Sequence, residues 1–124
     1  MDERKRIQAF SNAFGPSGFE DDVIALARTE VQDVCDIKED HMRNLYMTLK
    51  QQKTQGVRIL LDAHSDEVGF IVQAIKPNGT LRFLPLGGWD VKNIIANKVV
   101  IQNRRNELVE GIVCSCLLYT SRCV

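Results

Sequence analysis

The chain has 124 residues, 44% of them hydrophobic and 26% charged, which excludes a disordered tail, a collagen-like repeat and a coiled coil. Lys+Arg and Asp+Glu are both 16, so no net field draws the chain to nucleic acid or to a membrane surface. Its apolar runs are too short to span a bilayer, and the charged opening Met1-Asp2-Glu3-Arg4 has no apolar stretch behind it, so a cytoplasmic location is expected.

In chain order, Ile7, Phe10 and Phe14 stand at helical spacing and predict a first helix over residues 2–14, broken by Gly15-Pro16. Ser17-Gly18-Phe19-Glu20 has the form of a capping box, and Val23, Ile24, Ala27 and Val31 continue a second helix on one face. The connection over residues 15–18 fits a structural turn, the favoured reading, and also a substrate contact. From Val34 the period becomes alternating: a strand over Val34–Lys38, then a second carrying Leu45, Met47 and Leu49. Val57–Ala63 is a nearly continuous apolar run, as expected of a strand covered on both faces. A further apolar run, Val68–Ile75, meets Pro77-Asn78-Gly79, where Asn-Gly predicts a two-residue hairpin turn into Leu81 and Phe83. After Gly87-Gly88-Trp89-Asp90 come the apolar stretch Val91–Ile95 and a hairpin over Val99–Val113 turned at Asn103–Asn106. The front is helices plus strands and the back is nearly all β, with the shift near residue 69.

Of the four cysteines, Cys35 stands apart while Cys114, Cys116 and Cys123 crowd the last eleven residues, unlike a disulfide framework. Together with a histidine, the three could be read as a small zinc knuckle, though structural zinc sites need four ligands at characteristic spacings.

His64-Ser65-Asp66-Glu67 closes the Val57–Ala63 run and is the constellation with chemical promise. Residues i and i+2 of a strand share a face, so His64 can offer one ring nitrogen to a metal while Asp66 fixes the imidazole's orientation. Taken alone, a His-x-Asp also fits a satisfied polar turn.

Four stretches in order resemble the N-terminal part of the tetrahedral, glutamyl-aminopeptidase-like metallopeptidases, some of whose members carried an endoglucanase label. They are Ser11-Asn12-Ala13-Phe14-Gly15-Pro16-Ser17-Gly18-Phe19-Glu20; Ala63-His64-Ser65-Asp66-Glu67-Val68-Gly69-Phe70; Leu81-Arg82-Phe83-Leu84-Pro85-Leu86-Gly87-Gly88-Trp89-Asp90; and Lys98-Val99-Val100-Ile101. The resemblance implies an α/β fold: residues 1–69 as the first portion of a peptidase catalytic domain, then residues 70–115 as the start of an inserted antiparallel β-barrel. It implies a peptide substrate, two divalent metal ions (zinc or cobalt), and a homo-oligomer for the full-length protein. It makes His64 a metal ligand and Asp66 the catalytic aspartate that supports it, while Glu67 belongs to the motif without an assigned chemical role. No paired carboxylates stand in a glycosidase arrangement, so a carbohydrate activity gains nothing from the older label.

Three departures from the family pattern stand out. Arg43-Asn44 replaces Gly-Asn in a strand turn, where a positive φ would strain arginine. Ala96-Asn97 stands where the insert commonly has a glycine. The family's remaining metal ligands and its general-base glutamate correspond to no residue of the sequence, so the chain by itself is expected to be inactive. His41, the other of the 2 histidines, lies in the Asp40–Arg43 turn. After Ser115 the resemblance stops. Cys116–Ser121 is what the transposon end of a common sequencing adapter would encode, so residues 116–124 read either as a non-native tail or as a true strand. A rival reading from another class is a non-enzymatic β-module that binds a partner through an open sheet edge.

Overall fold

The computed structural model describes residues 2–51 and 56–114. Asp2 opens the first helix by the chemistry of its position: Oδ1 accepts the backbone N–H of Arg4 at 3.2 Å, one of the donors a helix leaves orphaned. The helix, α1, runs Glu3–Asn12, and its Arg6 guanidinium meets Glu30 at 2.8 Å on the second helix. Helix α2, Asp21–Val31, has Asp21 and Asp22 in its first turn and Arg28 in its last, the arrangement its dipole favours. Ile24 supplies its buried face.

The expected capping box does not form. α2 begins at Asp21, which makes Glu20 rather than Ser17 the N-cap residue, and no side chain caps it. Glu20 instead turns back to accept the N–H of Gly18 at 2.7 Å, while the Pro16 carbonyl accepts the N–H of Phe19 at 2.8 Å. Gly18, with φ of +87°, bends the chain too sharply for Ser17 to stand at the helix start.

Among the described residues, six strands pair as three antiparallel hairpins: β1 (Cys35–Glu39) with β2 (Leu45–Leu49), β3 (Gly69–Ile75) with β4 (Leu81–Leu86), and β5 (Lys98–Gln102) with β6 (Leu108–Ile112). Together with the helices they make a mixed α/β chain. All three turns share one construction. Asp40 N–H bonds to the Asn44 carbonyl, Lys76 to Thr80 and Asn103 to Glu107, and the third loop residue of each is left-handed: Arg43 (φ 68°), Gly79 (φ 82°) and Asn106 (φ 60°). The Pro77-Asn78-Gly79 turn therefore has three loop residues, with the positive φ on Gly79 alone rather than on both residues of an Asn-Gly pair. Asn78 contributes its side chain instead, accepting from the Thr80 hydroxyl at 2.8 Å. Arg43 does occupy the left-handed conformation its departure from glycine put in question, and so does Ala96, with φ of 65°. The Arg43 guanidinium pairs with both Glu39 and Asp21.

Val57–Ala63 departs most from expectation. It forms no ladder and lies open: Val57 is 92% exposed and Leu61 90%. A strand's apolar faces are buried only when neighbouring strands and helices cover them, and no described element does so.

The chain divides into two compact units, residues 1–87 and 88–124. In the first, Ile24 and Cys35 are buried, along with Gly15 and Pro16. In the second, Ile94 and Val113 are buried beside a single 3-10 turn, Val91–Asn93, capped by Asp90. No helix among the described residues is long and apolar enough to cross a membrane. The tail expected to be non-native, with Cys116 and Cys123, lies outside the described residues.

Candidate functional site

The segment from His64 to Gly69 is anchored at its far end and open at its near end. Pro16 and Glu67 form an isolated parallel bridge, in which the Glu67 N–H donates to the Gly15 carbonyl at 2.8 Å. The Glu67 carboxylate returns the contact, Oε1 accepting the Gly15 N–H at 3.3 Å. The approach is close enough to demand glycine on both sides. A Cβ on Gly15 would stand 2.6 Å from Val23 Cγ2, and one on Gly69 would stand 2.8 Å from Pro16 Cβ. The 15–18 connection is thus a structural element of the site, wedged between α2 and the His64–Glu67 loop.

His64 and Asp66 come together, in a segment that forms no strand. His64 Nδ1 lies 2.9 Å from the Asp66 carbonyl oxygen and 3.1 Å from Asp66 Oδ1. A carbonyl oxygen can only accept, so Nδ1 carries the proton and the lone pair of the neutral ring is on Nε2. The His64 side chain is 86% exposed, so that nitrogen is accessible. This is the tautomer in which a histidine ligates through Nε2 while a carboxylate orients it.

His41 takes no part. It sits exposed in the β1–β2 turn, whose polar order comes from Asp40. Asp40 Oδ1 accepts the N–H groups of Met42 and Asn44, both at 2.9 Å, and Oδ2 accepts from the Asn44 amide and, at 3.2 Å, from the Tyr46 hydroxyl. The Asn44 side-chain bond, seconded by the backbone donors, holds the Asp40 carboxyl below its ordinary range. The nearby Asp40 charge in turn pushes the Tyr46 phenol up. Glu39 is likewise lowered, first by its bond from the Arg28 guanidinium and then by the charges of Arg43 and Arg28. These shifts stabilise a turn; they do not build a reacting group.

Among the described residues, no three His, Cys, Asp or Glu side chains come together to hold a metal ion. Sequence reasoning named Gly15 and Glu67 but not the contact between them. They lie 52 positions apart, and a local pattern carries no signal for so distant a pairing.

The sequence matches the M42 glutamyl aminopeptidase family profile over residues 44–122, well over half its length. The chain belongs to that family. The glutamyl aminopeptidase of Lactococcus lactis subsp. cremoris (strain MG1363) is 34% identical over 86 residues, 68% of this chain and 24% of that protein. The TET aminopeptidase of the marine sediment archaeon Thaumarchaeota archaeon SCGC AB-539-E09 superimposes with a TM-score of 0.81 at 33% identity, over 90% of this chain and 31% of its own. The TET1 peptidase of Pyrococcus horikoshii, which can assemble into a tetrahedron or a large octahedral shell, gives 0.79 at 27% identity, over 96% and 36%. The chain therefore spans about a quarter to a third of the length of these M42 relatives.

Proposed function

We propose that this M42 chain is the opening part of a two-metal aminopeptidase that removes N-terminal residues from peptides, and that the 124 residues alone do not catalyse the reaction. The observation that carries the reading is the placement of His64, its Nδ1 tied to Asp66 and the rest of its ring exposed. His64 would serve as a ligand to one of two divalent ions, zinc or cobalt, and Asp66 would hold the ring in place. When bound, such ions hold and activate a water and polarise the scissile carbonyl. The fit is to one corner of a site: catalytic zinc normally keeps three protein ligands, and the described residues bring together one histidine and its carboxylate.

In this reading residues 1–69 belong to the catalytic α/β domain. Residues 70–115 begin an inserted β-barrel whose work is assembly, in a cytoplasmic homo-oligomer. The shell-forming Pyrococcus relative supports the oligomer.

The test is hydrolysis of aminoacyl p-nitroanilides by a native-length protein that contains this sequence, beside the 124-residue chain. The long form should be active and lose its activity on chelation and with His64→Ala. Asp66→Asn should cost about 10–100-fold in metal affinity or rate. Activity of the long form that survives both chelator and His64→Ala would overturn the reading, as would turnover by the short chain.

A further inference from the structure

We infer that Glu67 is a positioning residue for His64: its carboxylate and its amide both grip Gly15, and this grip sets the peptide group on which the His64 ring rests. For its catalytic meaning this rests on the aminopeptidase reading; for its mechanics it does not.

A single peptide plane carries the coupling. The Asp66 carbonyl and the Glu67 N–H belong to the same planar unit, so fixing the direction of one fixes the other. The N–H points at the Gly15 carbonyl, 2.8 Å away. The carbonyl accepts His64 Nδ1–H at 2.9 Å on the opposite side. A rotation of this plane that lost the first bond would carry away the second, and the ring would swing with it. One backbone bond is a weak hinge. The second tie, from the Gly15 N–H to Glu67 Oε1 at 3.3 Å, turns it into a two-point attachment.

Gly15 is itself immobile enough to serve as the fixed end. It is buried, and its Cα faces Val23 of α2 closely enough that a Cβ would collide at 2.6 Å. On the other side of Glu67, Gly69 packs against Pro16 with no room for a Cβ. The upstream run 57–63 gives no such hold, being exposed and unpaired in any ladder. Position 64 is therefore oriented from downstream, through Glu67. The role requires an acceptor oxygen at glutamate length. Glu67→Gln keeps that oxygen, Glu67→Ala removes it, and Glu67→Asp, one methylene shorter, leaves it out of reach.

The sequence has 2 histidines, so the imidazole Cε1–H region of the NMR spectrum holds two signals, with His41 as an internal control in the β1–β2 turn. The spectra are taken on the metal-free 124-residue chain at a single pH above the imidazole range, with exchange of the Gly15 amide followed in parallel. Glu67→Ala should displace the His64 signal, leave that of His41 in place and speed Gly15 exchange about tenfold, the loss of one hydrogen bond. Glu67→Gln should restore both readouts to the parent values. If the alanine variant disturbs His41 as well, Glu67→Asp reads the same tie with charge and polarity retained, and should displace His64 alone. The inference is overturned if Glu67→Ala or Glu67→Asp leaves His64 and Gly15 as in the parent. It is also overturned if Glu67→Gln displaces His64 as far as alanine does, because charge rather than the tie would then be acting. No metal or peptide is present, so failure of the aminopeptidase reading would leave these spectra unchanged.

Discussion

Gly15→Ala tests whether the turn before α2 is the mechanical support of the His64 loop. The backbone of Gly15 is not left-handed, so alanine meets no conformational penalty and the cost is purely one of volume. The new Cβ would stand 2.6 Å from Val23 Cγ2, whereas the neighbouring Val23 Cβ and Ser65 carbonyl oxygen, both at 3.7 Å, are ordinary contacts. One methyl group must therefore move by most of an ångström, in the range where overpacking costs about 1–3 kcal/mol. Val23→Ala removes the offending methyl, and at a half-buried site its own cost should be about 1 kcal/mol. The double variant Gly15→Ala/Val23→Ala should then be no less stable than Val23→Ala alone, a coupling of about 1–3 kcal/mol in a double-mutant cycle. Urea denaturation followed by far-UV circular dichroism measures all four corners. Additive losses with no rescue would show that the Val23 methyl is not what excludes a side chain at position 15, and that the turn is not wedged against α2.

Four further outcomes follow from the β1–β2 hairpin and the open segment. Arg43→Gly should stabilise the chain by ~1 kcal/mol by relieving a left-handed non-glycine residue, since the exposed ion pairs it gives up contribute little; a fall in melting temperature would refute this. Asp40 and Glu39 ionise below their ordinary values of 3.8 and 4.5, so the stability they add is complete above those values and drains away as the pH falls through the lower folded ones. Tyr46 fluorescence should report the hairpin loosening in acid, and Asp40→Asn should flatten that profile. The same variant should bring the Tyr46 phenol, raised by the Asp40 charge, back toward 10.0 in an ultraviolet titration. Finally, Leu60→Lys and Leu61→Glu fall on side chains 88% and 90% exposed, so stability should stay within about 0.5 kcal/mol while light scattering of the chain declines. A larger loss would mean that the segment is packed after all.

What could be read from the residues alone was what residues decide among near neighbours. The helices were legible because Ile24, Ala27 and Val31 recur at helical spacing and Gly15-Pro16 punctuates them. The hairpins were legible because alternation and turn chemistry lie within ten residues of each other. The fine structure of those turns was less so. Asn78-Gly79 fits either a two- or a three-residue loop, and the choice is made by whether Lys76 pairs with Thr80. Val57–Ala63 misled for the opposite reason: its composition describes the surroundings a strand would need, and the described elements do not supply them. At the site, His64 and Asp66 were found because a spacing of two can be seen along the chain. The contact of Gly15 with Glu67 was not, since it depends on how the intervening fifty residues fold.

That separation along the chain has a consequence for the order of events in folding. Each hairpin closes across three loop residues, and its registry is complete within its own ten to twenty positions. The Gly15–Glu67 contact must close a loop of 52, at an entropic cost about 2 kcal/mol above that of a five-residue loop. Hairpins formed in microseconds would therefore wait for the bridge, and the bridge would be the first connection to open when the chain is stressed. The His64 loop would take up its working shape last and surrender it first, while the hairpins are still intact.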